Sequence, residues 1–288
     1  MKRLILTLTV AALLVTAAVA QNAGTTYKFQ SIIYPGDNFT QMLGINKSGE
    51  MVGYHNANVF VGLTFTLPNH FTISNYPGSA QTQNVAINNK GRIAGFYIDN
   101  QGTNHGFTEL SGTFTTVDFP GTTFNQLLGQ NNVSQAAGYY QDAAGNFHPY
   151  TFAENGNVFE EIILPNSTSA QATGINDDGL VVGFYTDPSG TTRGFFLNRG
   201  SLNTIDYPGA TMTQCLGINN SNQLSGFYQD AAGLTHGFVQ TGGKFQSIDD
   251  PNGIGTTTVN GINDSGDIVG FYVDSEGNTD GFAAAPSN

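Results

Sequence analysis

Residues 247–282 read SIDDPNGIGTTTVNGINDSGDIVGFYVDSEGNTDGF, and residues 204–238 read TIDYPGATMTQCLGINNSNQLSGFYQDAAGLTHGF, two copies of one unit. Four more copies precede them. The anchor proline falls at Pro35, Pro77, Pro120, Pro165, Pro208 and Pro251, with spacings of 42, 43, 45, 43 and 43 residues. An asparagine keeps the same beat at Asn46, Asn88, Asn131, Asn176, Asn219 and Asn263. Two markers in step establish a repeat, and a fixed period has to be read before any local structure.

Each unit carries short β-type runs separated by turn chemistry, and none carries an apolar pattern of helical period. In the fifth unit the runs are Thr213–Asn219, Gln223–Gln229, a third centred on His236-Gly-Phe238, and Phe245–Asp249. Asn219-Asn-Ser-Asn222 and Asp230-Ala-Ala-Gly233 break them with residues suited to tight turns. Pro251 ends the fourth run, because proline cannot donate to a ladder. Four strands in a period in the low forties is the length of a propeller blade, longer than a β-helix coil.

The phase of the repeat adds the closure. The chain begins with an orphan fourth strand, Tyr27 to Tyr34, and ends after a third strand near Phe282. Six complete blades result only if the first strand joins the last three, which removes a long open edge. The expectation is an all-β, six-bladed β-propeller of four-stranded blades, closed by the N-terminal strand completing the last blade. The first unit lacks the Asp-x-x-Gly turn after Gly53-Tyr54, so a shortened loop is expected there. The third unit is also atypical, with Gly129-Gln-Asn131 and His148-Pro-Tyr150.

The elements GINDSGDIVGFY (residues 261–272), GINDDGLVVGFY (residues 174–185) and the following His-Gly-Phe resemble the HAF-repeat family of extracellular bacterial repeat proteins. The resemblance covers all six units, although the tripeptide here is His-Gly-Phe rather than His-Ala-Phe. It implies export and a repeat fold, and it brings no catalytic residues.

Export is also readable directly. Lys2 and Arg3 precede an apolar run from Leu4 to about Ala17, then Ala18-Val19-Ala20, the pattern of a signal peptide cleaved near Ala20/Gln21. Residues 1–20 are read as this signal, and 21–288 as a single six-repeat propeller domain, secreted or periplasmic. Removing the signal deletes two of the nine basic residues and moves the formal charge from −12 to −14. That field repels phosphate backbones and anionic membranes, so nucleic acid and membrane insertion are not expected as partners. Cys215 is the only cysteine, so no internal disulfide staples the domain. A monomer is expected.

In a propeller, the segment leading into each innermost strand and the loop between second and third strands emerge on one face, called here the loop face. Five residues before each marker asparagine stand Gln41, Gln83, Gln126, Gln171 and Gln214, with Thr258 in the sixth copy. Together they make a ring of hydrogen-bonding groups near a channel mouth, or they satisfy backbone in the adjoining loops. Tyr34, Tyr76, Phe119 and Tyr207 precede anchor prolines and suit stacking on a sugar ring or core packing. Asp118 and Asp206, also beside anchor prolines, are carboxylates of the kind glycoside hydrolysis uses.

Asp99, Asp142, Asp187, Asp230 and Asp274 open the turn after the aromatic pair. They are weak Ca²⁺ candidates, since no copy has the dense spacing of a dedicated calcium loop, and a turn role fits them directly. His105, His148 and His236 share one repeat position and point to different sectors of a ring, which argues against one shared metal ion. No cofactor is expected. The leading expectation is a non-enzymatic protein that binds a glycan or extracellular protein ligand on its loop face, repetition suiting several weak, similar sites. A carboxylate-dependent glycan hydrolase or lyase, and a structural envelope or matrix component, are the other two readings.

Overall fold

The computed structural model describes residues 24–287, in which every regular element is a β-strand. The signal segment read at residues 1–20 lies outside the described residues. The strands form six four-stranded antiparallel sheets. Five sheets follow chain order; the sixth joins Thr258–Ile262, Ile268–Val273 and Thr279–Ser287 to the amino-terminal strand Thr26–Ile32. That last pairing runs from Thr26 opposite Ser287 to Ile32 opposite Gly281, so the ring closes as the repeat phase requires. Blade 1 has its shortened loop, Ala57–Val59, between its second and third strands.

The Gly-Phe-Tyr and His-Gly-Phe elements are two halves of one packing device. Gly226 of the second strand lies opposite Phe238 of the third. A Cβ on Gly226 would fall 2.0 Å from the Gln214 carbonyl oxygen and 2.9 Å from the Phe238 ring. The missing side chain therefore lets the phenyl ring lie across the strand, where it covers backbone that glycine leaves bare. The same pairing joins Gly95 to Phe107, Gly183 to Phe195 and Gly270 to Phe282, with Tyr150 over Gly138 in blade 3. These aromatics are among the largest fully buried side chains of the protein.

Each innermost strand is bulged at one residue before its marker Gly-Ile-Asn, namely Leu43, Val85, Leu128, Thr173, Leu216 and Asn260. A bulge leaves one residue outside the ladder and re-aims its side chain. Here the six extra residues line the axial channel. The next position is glycine in five blades, because neighbouring strands approach closely: a Cβ on Gly129 would lie 2.7 Å from Gly174 Cα.

The marker asparagines form a closed hydrogen-bonded ring on the opposite face. Asn46 Nδ2 donates to the Asn88 carbonyl (3.4 Å), Asn88 to Asn131 (3.0 Å) and Asn131 to Asn176 (2.9 Å). Asn176 donates to Asn219 (3.2 Å), Asn219 to Asn263 (2.9 Å), and Asn263 back to Asn46 (3.1 Å). Each Oδ1 meanwhile caps its own turn, as when Asn131 Oδ1 accepts from the Val133 and Gln135 backbone N–H groups. One side chain thus holds a turn and couples two blades. A second ladder runs through the following residues, from Lys47 N–H to Asn89 Oδ1 and onward to Asp264.

Asn131→Ala removes one inter-blade donor and two turn caps and leaves buried partners unpaired, so it should cost roughly 2–4 kcal/mol. Urea unfolding measures this directly. Tyr150 carries a buried hydroxyl without a partner where blades 2, 4, 5 and 6 use phenylalanine. Tyr150→Phe is therefore expected to stabilise the protein by about 1 kcal/mol in the same assay.

Candidate functional site

On the loop face the sequence builds two concentric zones. The outer zone is structural. Each turn aspartate caps its own loop: Asp142 Oδ1 accepts from the Ala144 and Asn146 N–H groups, and Asp99, Asp187, Asp230 and Asp274 do the same. In four blades the other carboxylate oxygen faces the third strand, where it meets His105, His148, Arg193 or His236. The weak calcium candidates thus have their oxygens committed to turns and neighbours. Among the described residues no three His, Cys, Asp or Glu side chains stand together at metal-ligand spacing.

Those contacts shift the carboxylates in a consistent direction. The backbone N–H of Thr103 lowers the pKa of Asp99, that of Leu234 lowers Asp230, and the Asn278 side chain lowers Asp274. Asp142 is lowered strongly, first by His148, and Asp187 by Ser189 and then Arg193.

The aromatics before the anchor prolines are also engaged. Tyr76 stacks on Tyr97 at 3.7 Å and Tyr207 on Tyr228 at 3.6 Å, while Phe119 lies 4.4 Å from Tyr140. His105, His148 and His236 extend these stacks from the far side of the second ring. Tyr34 makes the same stack on His55 at 3.7 Å, His55 holding the repeat position of Tyr97, and His55 is also bound to Asp37, a contact the repeat pattern does not announce. Each of these rings therefore has one face occupied by protein.

Asp118 and Asp206 sit at the ends of the outermost strands of blades 2 and 4, with blade 3 between them. Asp118 accepts from Gly106 N–H and binds His105, and Asp206 is ion-paired with Arg193. They do not face one another as an acid–base pair must. Blade 3 explains the role by exception: Pro149 replaces the donating glycine, and Ile163 replaces the carboxylate. Cys215 is fully buried and its thiol is pushed up by burial, which leaves it inert as a nucleophile.

The inner zone gathers the glutamines. Gln41, Gln83, Gln126, Gln171 and Gln214 lie on the innermost strands opposite Tyr54, Phe96, Tyr139, Phe184 and Phe227, and Thr258 lies opposite Phe271. All five glutamines are half-buried. Where the partner is tyrosine its hydroxyl donates to the amide oxygen, as from Tyr54 to Gln41 at 2.6 Å and from Tyr139 to Gln126 at 2.5 Å. Burial raises both tyrosine pKa values, so these hydroxyls keep their protons.

Below the amides, the bulge side chains Leu43, Val85, Leu128, Thr173, Leu216 and Asn260 complete an axial cup of about 210 Å³ that also takes in Gln41 and Phe96. Asn260 Oδ1 is buried there without a partner. The cup carries one amide and one aromatic ring at its edge, Gln41 and Phe96, with Thr173 and Asn260 set into an otherwise aliphatic lining, a mixture that fixes a small polar ligand in orientation. The amide ring is readable from the repeat, but the floor is not, because a bulge shifts the side-chain alternation by one.

With this geometry the protein is of the closed six-bladed propeller class. No family model matches the chain, and no curated protein matches it in sequence. Solved propellers do resemble it in structure. A mutant of AofleA from Arthrobotrys oligospora is 13% identical with a TM-score of 0.56, covering 90% of this chain and 86% of that one. Aleuria aurantia lectin, solved in complex with Fucα1-6GlcNAc, is 13% identical with a TM-score of 0.55, covering 86% and 93%. TolB from Agrobacterium tumefaciens is 9% identical with a TM-score of 0.64, covering 92% and 100%. At these identities the likeness is one of fold.

The lowered aspartates give a pH dependence with a definite sign. Their folded-state pKa values lie below the ordinary 3.8, so their stabilisation is present above that value and lost as pH falls below it. Melting temperature should therefore drop between about pH 4 and pH 2, and Asp142→Asn should flatten that drop.

Proposed function

We propose that this protein is an exported, non-enzymatic propeller that binds a glycan in the axial cup of its loop face. The observation that carries the reading is the axial cup in which Gln41, Phe96, Thr173 and Asn260 join an aliphatic lining, with Gln83, Gln126, Gln171 and Gln214 at the strand position of Gln41 in the other blades. A primary amide both donates and accepts, which matches the vicinal hydroxyls of a sugar. The aromatic partners add apolar surface for its C–H face. The cup is neutral, so it suits an uncharged saccharide better than an anionic one, which the acidic protein as a whole repels.

Support comes also from the company the fold keeps, since Aleuria aurantia lectin is described with fucosides. Export rests on the Lys2–Ala20 segment, and the resemblance to HAF-repeat proteins is part of the same proposal. Asp118 and Asp206, each paired within its own blade, favour binding over hydrolysis.

The test is a glycan array followed by calorimetry. A combined Gln83→Ala, Gln171→Ala and Gln214→Ala variant with unchanged melting temperature is expected to lose at least about tenfold in affinity, the equivalent of about one hydrogen bond to the ligand. Undiminished binding by that variant would move the site elsewhere, and silence of the wild type across a broad array would remove the glycan reading.

A further inference from the structure

Four blades share a polar bridge in which a third-strand side chain lies between two carboxylates. His105 stands between Asp99 (3.5 Å) and Asp118 (2.6 Å), and His148 between Asp142 (2.9 Å) and Glu161 (3.3 Å). Arg193 joins Asp187 to Asp206, and His236 stands between Asp230 (3.5 Å) and Asp249 (3.0 Å).

Blade 6 breaks this pattern in two places, and one of them is Ile33, which takes the outer position held by Asp118, Asp206 and Asp249 elsewhere. Its turn aspartate is Asp274, but the bridging position is Asp280, a carboxylate where the others have histidine or arginine. A further carboxylate arrives from the linker, because Asp250 occupies the place before the anchor proline that Tyr34, Tyr76, Phe119 and Tyr207 hold elsewhere. Gly253 fits against Tyr272 there, with a Cβ that would lie 2.3 Å from Tyr272 Cβ.

The two intruding carboxylates are buried, Asp250 at 0% exposure and Asp280 at 6%. Asp250 Oδ1 accepts from the Asn252 backbone and side chain, while its buried Oδ2 has no partner. Among the described residues none of Asp250, Asp274 and Asp280 is ion-paired with a lysine, arginine or histidine. Buried carboxylates without counter-charge are costly, and proteins ordinarily pair or ligate them.

We propose that blade 6 binds a small hard cation of the calcium type between Asp250 and Asp280, replacing the cationic side chain that the other bridges build in. The oxygens at hand are the free Asp250 Oδ2, the carboxylate of Asp280, which lies opposite Tyr272 in the ladder, and the Tyr272 hydroxyl with Ser31 Oγ 2.8 Å from it, while the Asn252 amide stays on Asp250 Oδ1. Oxygen ligands with no histidine or cysteine among them select calcium-like ions over zinc or copper. Two carboxylates match a divalent charge, with hydroxyls and water completing the shell. Asp274 adds only its field, because its oxygens are held by its own turn and by Asn278. Burial raises both Asp250 and Asp280, and the charge of Asp274 raises Asp280 further, the strain an ion would relieve. Ser31 lies on the amino-terminal strand and Asp280 on the last one, so the ion would clasp the closure of the ring.

The experiment is a melting scan of the chelator-treated protein at pH 7 with Ca²⁺, Mg²⁺ or NaCl of matched ionic strength. Calcium at about a hundred times its dissociation constant is expected to raise the melting temperature by roughly 5 °C or more, and NaCl is not. Asp280→His installs the residue used in blades 2, 3 and 5; it should melt near the calcium-loaded wild type and no longer respond to calcium. Asp142→Asn, altered in another blade, should respond as wild type does. Terbium luminescence excited through tyrosine, competed away by calcium, reports the same site on the unaltered protein should a variant fail to fold. The proposal is overturned if wild type shows no calcium response beyond ionic strength and no competed terbium signal. A full calcium response retained in folded Asp280→His overturns it as well.

Discussion

The asparagine ring is the constraint on which the rest of the structure turns. The six amide-to-carbonyl bonds fix rotation, because each Nδ2 must find the carbonyl of the next blade while its Oδ1 holds a turn at home. Closing the cycle from Asn263 to Asn46 requires the blade count and the inter-blade angle to agree. The glycines beside these asparagines serve the same end, since a methyl group at Gly129 would hold neighbouring strands apart.

Closure at the other end of the molecule is supplied by the strand pairing of Thr26–Ile32 with Thr279–Ser287. Blade 6 is therefore assembled from both ends of the chain. It is also the blade whose linker and bridge depart from the pattern, with Asp250 for an aromatic and Asp280 for a cation. Buried, poorly compensated charge is thus concentrated at the seam.

Much of this was legible in the sequence, for a physical reason. Turn asparagines, strand alternation and proline breaks act locally, so Asn219-Asn-Ser-Asn222 and Asp230-Ala-Ala-Gly233 mark strand ends that the structure places within about two residues. The phase of the repeat announced ring closure because an unpaired outer strand is costly. The amide ring was legible for the same reason as the repeat itself. What escaped was whatever depends on inter-blade geometry. Tyr34 stacks on His55 as Tyr76 does on Tyr97, in the same repeat position, and the partner of each pre-proline aromatic is chosen by how the linker folds over the second strand. The role of the marker asparagine as a tie between blades was hidden too, since its turn function already accounted for its presence.

The bulges have a consequence for how such a protein can diversify. Leu43, Val85, Leu128, Thr173, Leu216 and Asn260 are outside the strand ladders yet face the lumen. Their identities already range from aliphatic to hydroxyl to amide within one chain. The architecture thereby separates scaffold from selectivity at most of these positions: each is a dial on the axis adjustable by one codon, Thr173 excepted, whose hydroxyl donates to the Val182 and Cys215 carbonyls and so belongs to the frame.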